Sequence, residues 1–148
     1  MMDRSKARAA LERDLRRHRD APTIAPRSGW IRAIRDALGM STNELARRVG
    51  LSKGRISQIE RGEHERSLTL NTLERVAAAL DCRVEYILVP HRPLDDMVWE
   101  QARAKAAAEI AAVDHTMALE DQRPGAESIR QRIDEAARRY VDKRGLWS

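Results

Sequence analysis

"VGLSKGRISQIERG", residues 49–62, decides how this chain folds. Its glycines, Ser-Lys pair and arginines could cradle a phosphate as an enzyme's nucleotide loop, or serve as the turn and second helix of a helix pair. A Walker-type loop needs Gly, four residues, then Gly-Lys followed by Ser or Thr, so that backbone amides surround the phosphates and the lysine reaches them. Here Gly50 and Gly54 stand too close together and Arg55 follows the second. Such a loop also follows a strand, whereas this stretch follows the helical pattern "STNELARRV". A helix-turn-helix fits at more positions. It needs a small residue where the helices cross, a glycine able to turn left-handed, and branched apolar residues that seat the second helix. Ala46, Gly50, Ile56 and Ile59 supply these in order, with Leu45, Val49 and Leu51 between them. A plain helical hairpin would share the apolar pattern but does not need the polar outer face of the second helix.

Helical signals continue on both sides. Trp30, Ile31, Ile34 and Leu38 recur at helical spacing and Gly39 closes that helix. Ser41 stands three residues before Glu44, a capping-box pattern, and Ser52 is placed to cap the next helix. Residues 70–80 read as a fourth helix with Thr69 as cap, turned inward through Leu70, Leu73, Val76, Ala77 and Leu80. At 82–90 the period changes: Val84, Tyr86 and Leu88 alternate with Arg83, Glu85 and Ile87, the pattern of a strand, which could pair with its copy in a homodimer. An Ala-rich helix from Leu94 to about Gln122 and an amphipathic one over 126–143 follow. The expected fold is therefore mainly α: a helix-turn-helix bundle, one short strand, then C-terminal helices.

Composition agrees. Phe is absent, so the core is aliphatic and Ala-rich, which favours helices. Of the formal net charge of +5, the excess lies early: residues 1–28 carry eight Lys or Arg against four Asp or Glu, whereas 82–148 carry eleven against twelve. Residues 4–19 read as a loosely docked basic helix or arm, and "DAPTIAPRSG" as a linker. The expected organisation is 1–28 arm and linker, 29–81 helix-turn-helix domain, 82–90 strand, and 91–148 helical region. Residues 95–121 are acidic, and opposite charge in two halves implies two partners. The lone Cys82 excludes an internal disulfide, no apolar run is long enough for a membrane span, and the expected compartment is the cytoplasm. His18, His64, His91 and His115 are scattered and no His/Cys cluster has metal-ligand spacing, so neither a metal, a cofactor nor an enzyme is expected.

"GMSTNELARRVGLSKGRISQIERGEHERSLTLNTLERVAAAL" resembles the Xre-type helix-turn-helix domains of phage repressors and antitoxins, a lambda-repressor-like bundle. "GWIRAIRDALGM", "ALDCRVEYILVP" and "HTMALEDQ" resemble the mobile mystery protein A family. The first resemblance implies binding to double-stranded operator DNA and transcriptional repression. It places Lys53, Gly54, Arg55 and Gln58 toward base edges, Thr42 and Ser52 at phosphates, and Arg61 on the backbone after a recognition helix ending near Glu60. Arg or Lys can donate to guanine, and Gln can pair with adenine. Glu63, His64 and Glu65 oppose phosphates in the loop expected there, which a dimer and the basic arm would offset. The second resemblance implies a Fic-domain partner, mobile mystery protein B, in a pairing like a toxin–antitoxin module. Fic-silencing antitoxins carry Ser or Thr, three residues, then Glu, followed by Gly or Asn. Thr116 and Glu120 have that spacing, but Asp121 departs from it, and the pair equally suits a solvated helix face.

Overall fold

The structure, a computed structural model, describes residues 3–119 and 125–148. Among them are seven helices: α1 Arg4–Asp20, α2 Trp30–Ala37, α3 Thr42–Val49, α4 Lys53–His64, α5 Leu70–Ala79, α6 Leu94–Leu119 and α7 Ala126–Tyr140. The chain divides into two compact units, Thr23–Ile87, and Met1–Pro22 with Leu88–Ser148.

In the Thr23–Ile87 unit the helix starts follow local chemistry. The Ser41 hydroxyl accepts from Glu44 N (3.1 Å) and Ser41 N donates to Glu44 Oε2 (2.6 Å), completing the capping box of α3. Thr69 Oγ1 accepts from Thr72 N (3.2 Å) at the start of α5. Gly50 takes the left-handed conformation (φ 80°, ψ 33°) that reverses the chain between α3 and α4. Ile31, Leu45, Ala46, Ile56, Ile59, Val76 and Leu80 form the core, and Leu45, Ile56 and Val76 are wholly buried. Each such side chain contributes about 1.5–3 kcal/mol by leaving water.

Three expectations change here. The strand over 82–90 is not present. A strand exists only within a hydrogen-bonded ladder, and no ladder forms among the described residues; Tyr86 and Leu88 stand 71% and 79% exposed in an irregular run. The apolar stripe of α2 is narrower than its spacing suggests: Trp30 and Leu38 are exposed, and Arg35 is buried instead. Finally, α4 runs on through His64, so Arg61, Gly62 and Glu63 are helical.

In the other unit, α6 and α7 pack through small residues. Ala102, Ala106 and Ile110 face Ala136 and Ala137, and Leu146 closes the cluster. Small side chains let the two backbones approach, and polar contacts flank the seam: Tyr140 Oη donates to Glu109 Oε2 (2.6 Å) and Arg103 Nε to Asp134 Oδ1 (3.1 Å). Helix α1 is more firmly held than a loose arm. Leu15 is buried, Arg8 bridges Asp95 (2.8 Å) and Asp142 (2.6 Å), and Glu12 accepts from both Arg19 and the first amide of α6, Leu94 N (3.2 Å). These contacts hold the Glu12 carboxyl below its ordinary range, the Arg19 guanidinium being the larger cause. Several acids of the 95–121 segment are thus engaged within the chain: Asp95 with Arg8, Glu100 with Arg92, Glu109 with Tyr140.

Candidate nucleic-acid interface

Helix α4 presents two faces. Ile56 and Ile59 fix one in the core, and the 3.6-residue period then turns Lys53, Gly54, Arg55 and Gln58 outward, where all are exposed. The Ser52 hydroxyl accepts from Arg55 N (3.1 Å), so capping is its observed role. Arg55 Nη1 donates to Gln58 Oε1 (3.4 Å), bringing the guanidinium and the amide together on the exposed face. A Cβ at Gly54 would meet nothing within 4 Å, so this position is a bare spot on the surface and not a packing requirement. Thr42 opens α3, where first-turn amides have no intrahelical acceptor, and Arg61 is exposed in the last turn of α4.

The orientation of α4 comes from carboxylates on its inner side. Arg35 of α2, 8% exposed, donates from Nε to Glu60 Oε1 (2.6 Å), from Nη2 to Glu60 Oε2 (3.3 Å) and from Nη1 to Met40 O (3.0 Å). This two-pronged pair fixes the helix in angle as well as position. Glu63 reaches the start of α2, where its carboxylate accepts from Trp30 N (2.5 Å) and Ile31 N (2.8 Å). A negative group is favoured there by the helix dipole and by the free amides. Gly29 makes room: its φ is +85°, and a Cβ on it would lie 3.0 Å from the Glu63 carboxylate. His64 Nδ1 lies 3.0 Å from Arg27 O. Glu63 and His64 are therefore committed to internal contacts, which corrects the expectation that they oppose phosphates from a loop.

Two further arginines bind helix ends together. Arg48 Nε donates to Ala79 O (2.8 Å) at the end of α5, and Arg75 Nη2 to Val49 O (3.3 Å) at the end of α3. Cations suit these terminal carbonyls. Sequence reasoning missed the roles of Arg35 and Glu60 and gave Glu63 a different one. The signal was available for one of them, since Arg35 stands four residues after Ile31 within the apolar stripe, where a cation demands a buried acceptor. Of the second motif, Glu120 lies outside the described residues, and only the position of Thr116 in α6 is described. Among the described residues, no group of three or more His, Cys, Asp or Glu is placed to hold a metal, and no helix is long and apolar enough to cross a membrane.

Two short helices joined at a left-handed glycine, the second exposing a polar face and clamped from behind, define a helix-turn-helix domain. Residues 31–87 match the family model described as helix-turn-helix. The chain is also similar to an uncharacterised HTH-type transcriptional regulator, y4dL, of Sinorhizobium fredii, with 47% identity over 62 residues. That match covers 42% of this chain and 30% of the relative, so the chain spans less than a third of the curated protein it matches. No solved structure matches.

Proposed function

We propose that the protein is a transcriptional regulator that binds operator DNA through α3 and α4 as a homodimer and represses its own operon. The observation that carries this reading is the exposed set Lys53, Arg55 and Gln58 on a helix locked by Arg35–Glu60 and Glu63. A rigid helix with a long cation at each side of a bare Gly54 can approach base edges closely, Arg or Lys donating to guanine and Gln to adenine, while Thr42, Ser52 and Arg61 meet phosphates. The relative's name points the same way for the matched segment. On the operator, Arg55→Ala should cost about 1–3 kcal/mol and relax sequence preference at one position. Arg61→Ala should weaken all sequences evenly and lower the salt slope by about 1. Unchanged preference in Arg55→Ala would remove the base-contact assignment.

The finer reading is an antitoxin that neutralises a Fic-domain protein encoded beside it. Its support is the mobile mystery protein A resemblance over "GWIRAIRDALGM", "ALDCRVEYILVP" and "HTMALEDQ". Co-purification with the neighbouring gene's product tests it, since a stand-alone repressor forms no such complex. Loss of protection in Glu120→Ala would assign the inhibitory role to that glutamate.

A further inference from the structure

We infer that an apolar groove on the Thr23–Ile87 unit is the surface on which a second copy of this chain seats; this rests on the homodimer reading above. The groove has a volume of about 790 Å³ and is lined by Trp30, Ile34, Leu70, Leu73, Cys82 and Tyr86, among others. Lys53, Arg55 and Gln58 do not line it, so its occupant leaves the reading face of α4 open. Large apolar side chains line it in the open: Trp30 is 47% exposed, Leu70 43% and Tyr86 71%. Concave, mostly apolar surfaces of this volume with a few polar groups at the wall are the usual form of a binding site.

Charge and position select the occupant. Arg83 and Glu85, both on the groove wall, pair with each other at 3.0 Å while 88% and 76% exposed. Opposite charges two residues apart are self-complementary about a twofold axis, with Arg83 meeting the partner's Glu85 and the reverse. The groove also touches α4 at Glu63, eight residues past Arg55, or about 12 Å along the helix. An occupant seated at the groove therefore lies toward the C-terminal end of α4, away from its reading end.

The test is the full-length chain carrying Leu70→Asp and Tyr86→Asp, studied by sedimentation equilibrium beside the wild type. Both positions are exposed, so an unchanged far-UV circular dichroism melt is expected to show an intact fold. Burying unpaired carboxylates in the interface should weaken self-association by at least about 100-fold. A charge swap, Arg83→Glu with Glu85→Arg, should retain the dimer, whereas Arg83→Glu alone should weaken it. A double-aspartate variant that stays dimeric overturns the interface but leaves the dimer standing. A monomeric wild type at micromolar concentration overturns the dimer as well. A monomer whose groove binds an apolar fluorescent dye, and loses it with Leu70→Asp, assigns the groove to a small apolar ligand instead. DNA recognition by Arg55 is judged separately in the operator assay.

Discussion

Removing Glu60 should destabilise the helix-turn-helix unit through the group it leaves behind. Arg35 and Glu60 side chains are 10% and 12% exposed, and the guanidinium makes two of its hydrogen bonds to the carboxylate. Breaking one side of a buried pair costs about 3–5 kcal/mol, because an uncompensated charge remains in low dielectric. Here the Met40 carbonyl stays in place and Asp36, at 3.2 Å but 57% exposed, gives partial compensation, so Glu60→Ala should cost about 3 kcal/mol, the lower end of that range. With an m-value near 1 kcal/mol/M for a unit of this size, the urea midpoint falls by about 3 M. Trp30 is the sole tryptophan of the unit, so its fluorescence, read in a chain carrying Trp99→Phe and Trp147→Phe, follows this transition apart from the other unit. Replacing both partners, Arg35→Met with Glu60→Met, removes the charges together and should return stability to within about 1 kcal/mol of the parent. A loss below about 1 kcal/mol in Glu60→Ala, or a double variant as unstable as the single one, would refute the clamp.

Gly29→Ala should cost about 1–3 kcal/mol in thermal unfolding, since it combines a φ of +85° with a Cβ 3.0 Å from the Glu63 carboxylate. Gly54→Ala, at a helical position with open space, should instead raise stability by about 0.4–1 kcal/mol while lowering operator affinity if a backbone or base approaches there. The Glu44 carboxyl is held below its ordinary value of 4.5, chiefly by the hydrogen bond from the Ser41 backbone. Its contribution is therefore complete above pH 4.5 and fades as pH falls through the depressed value; Glu44→Gln should flatten this part of an acid titration followed by circular dichroism.

Much of the unit was legible locally. The Ser41–Glu44 box, the Ser52 and Thr69 caps and the left-handed Gly50 depend on residues within three or four positions of each other, and each formed as its pattern implies. Ile56 and Ile59 likewise set which face of α4 is exposed. Other features depend on distant partners. Tyr86 and Val84 alternate as a strand would, but nothing local can supply the ladder, and that expectation failed. The resemblance implies a recognition helix ending near Glu60, yet a Cβ at Gly62 would meet Leu68 at 2.8 Å, and the Glu63 contact to α2 holds the extra turn.

By itself, then, the sequence determined the helices, their caps, the turn at Gly50 and the polar outward face of α4, because those follow from short-range hydrogen bonding and the 3.6-residue period. Only the tertiary structure decided which charges are used up inside. Arg35 against Glu60 and Glu63 against the start of α2 join residues 25 and more positions apart, as does Arg8 between Asp95 and Asp142. Composition counts all of these as surface charge. Burial and pairing remove them from it, while Lys53, Arg55 and Gln58 stay exposed on α4.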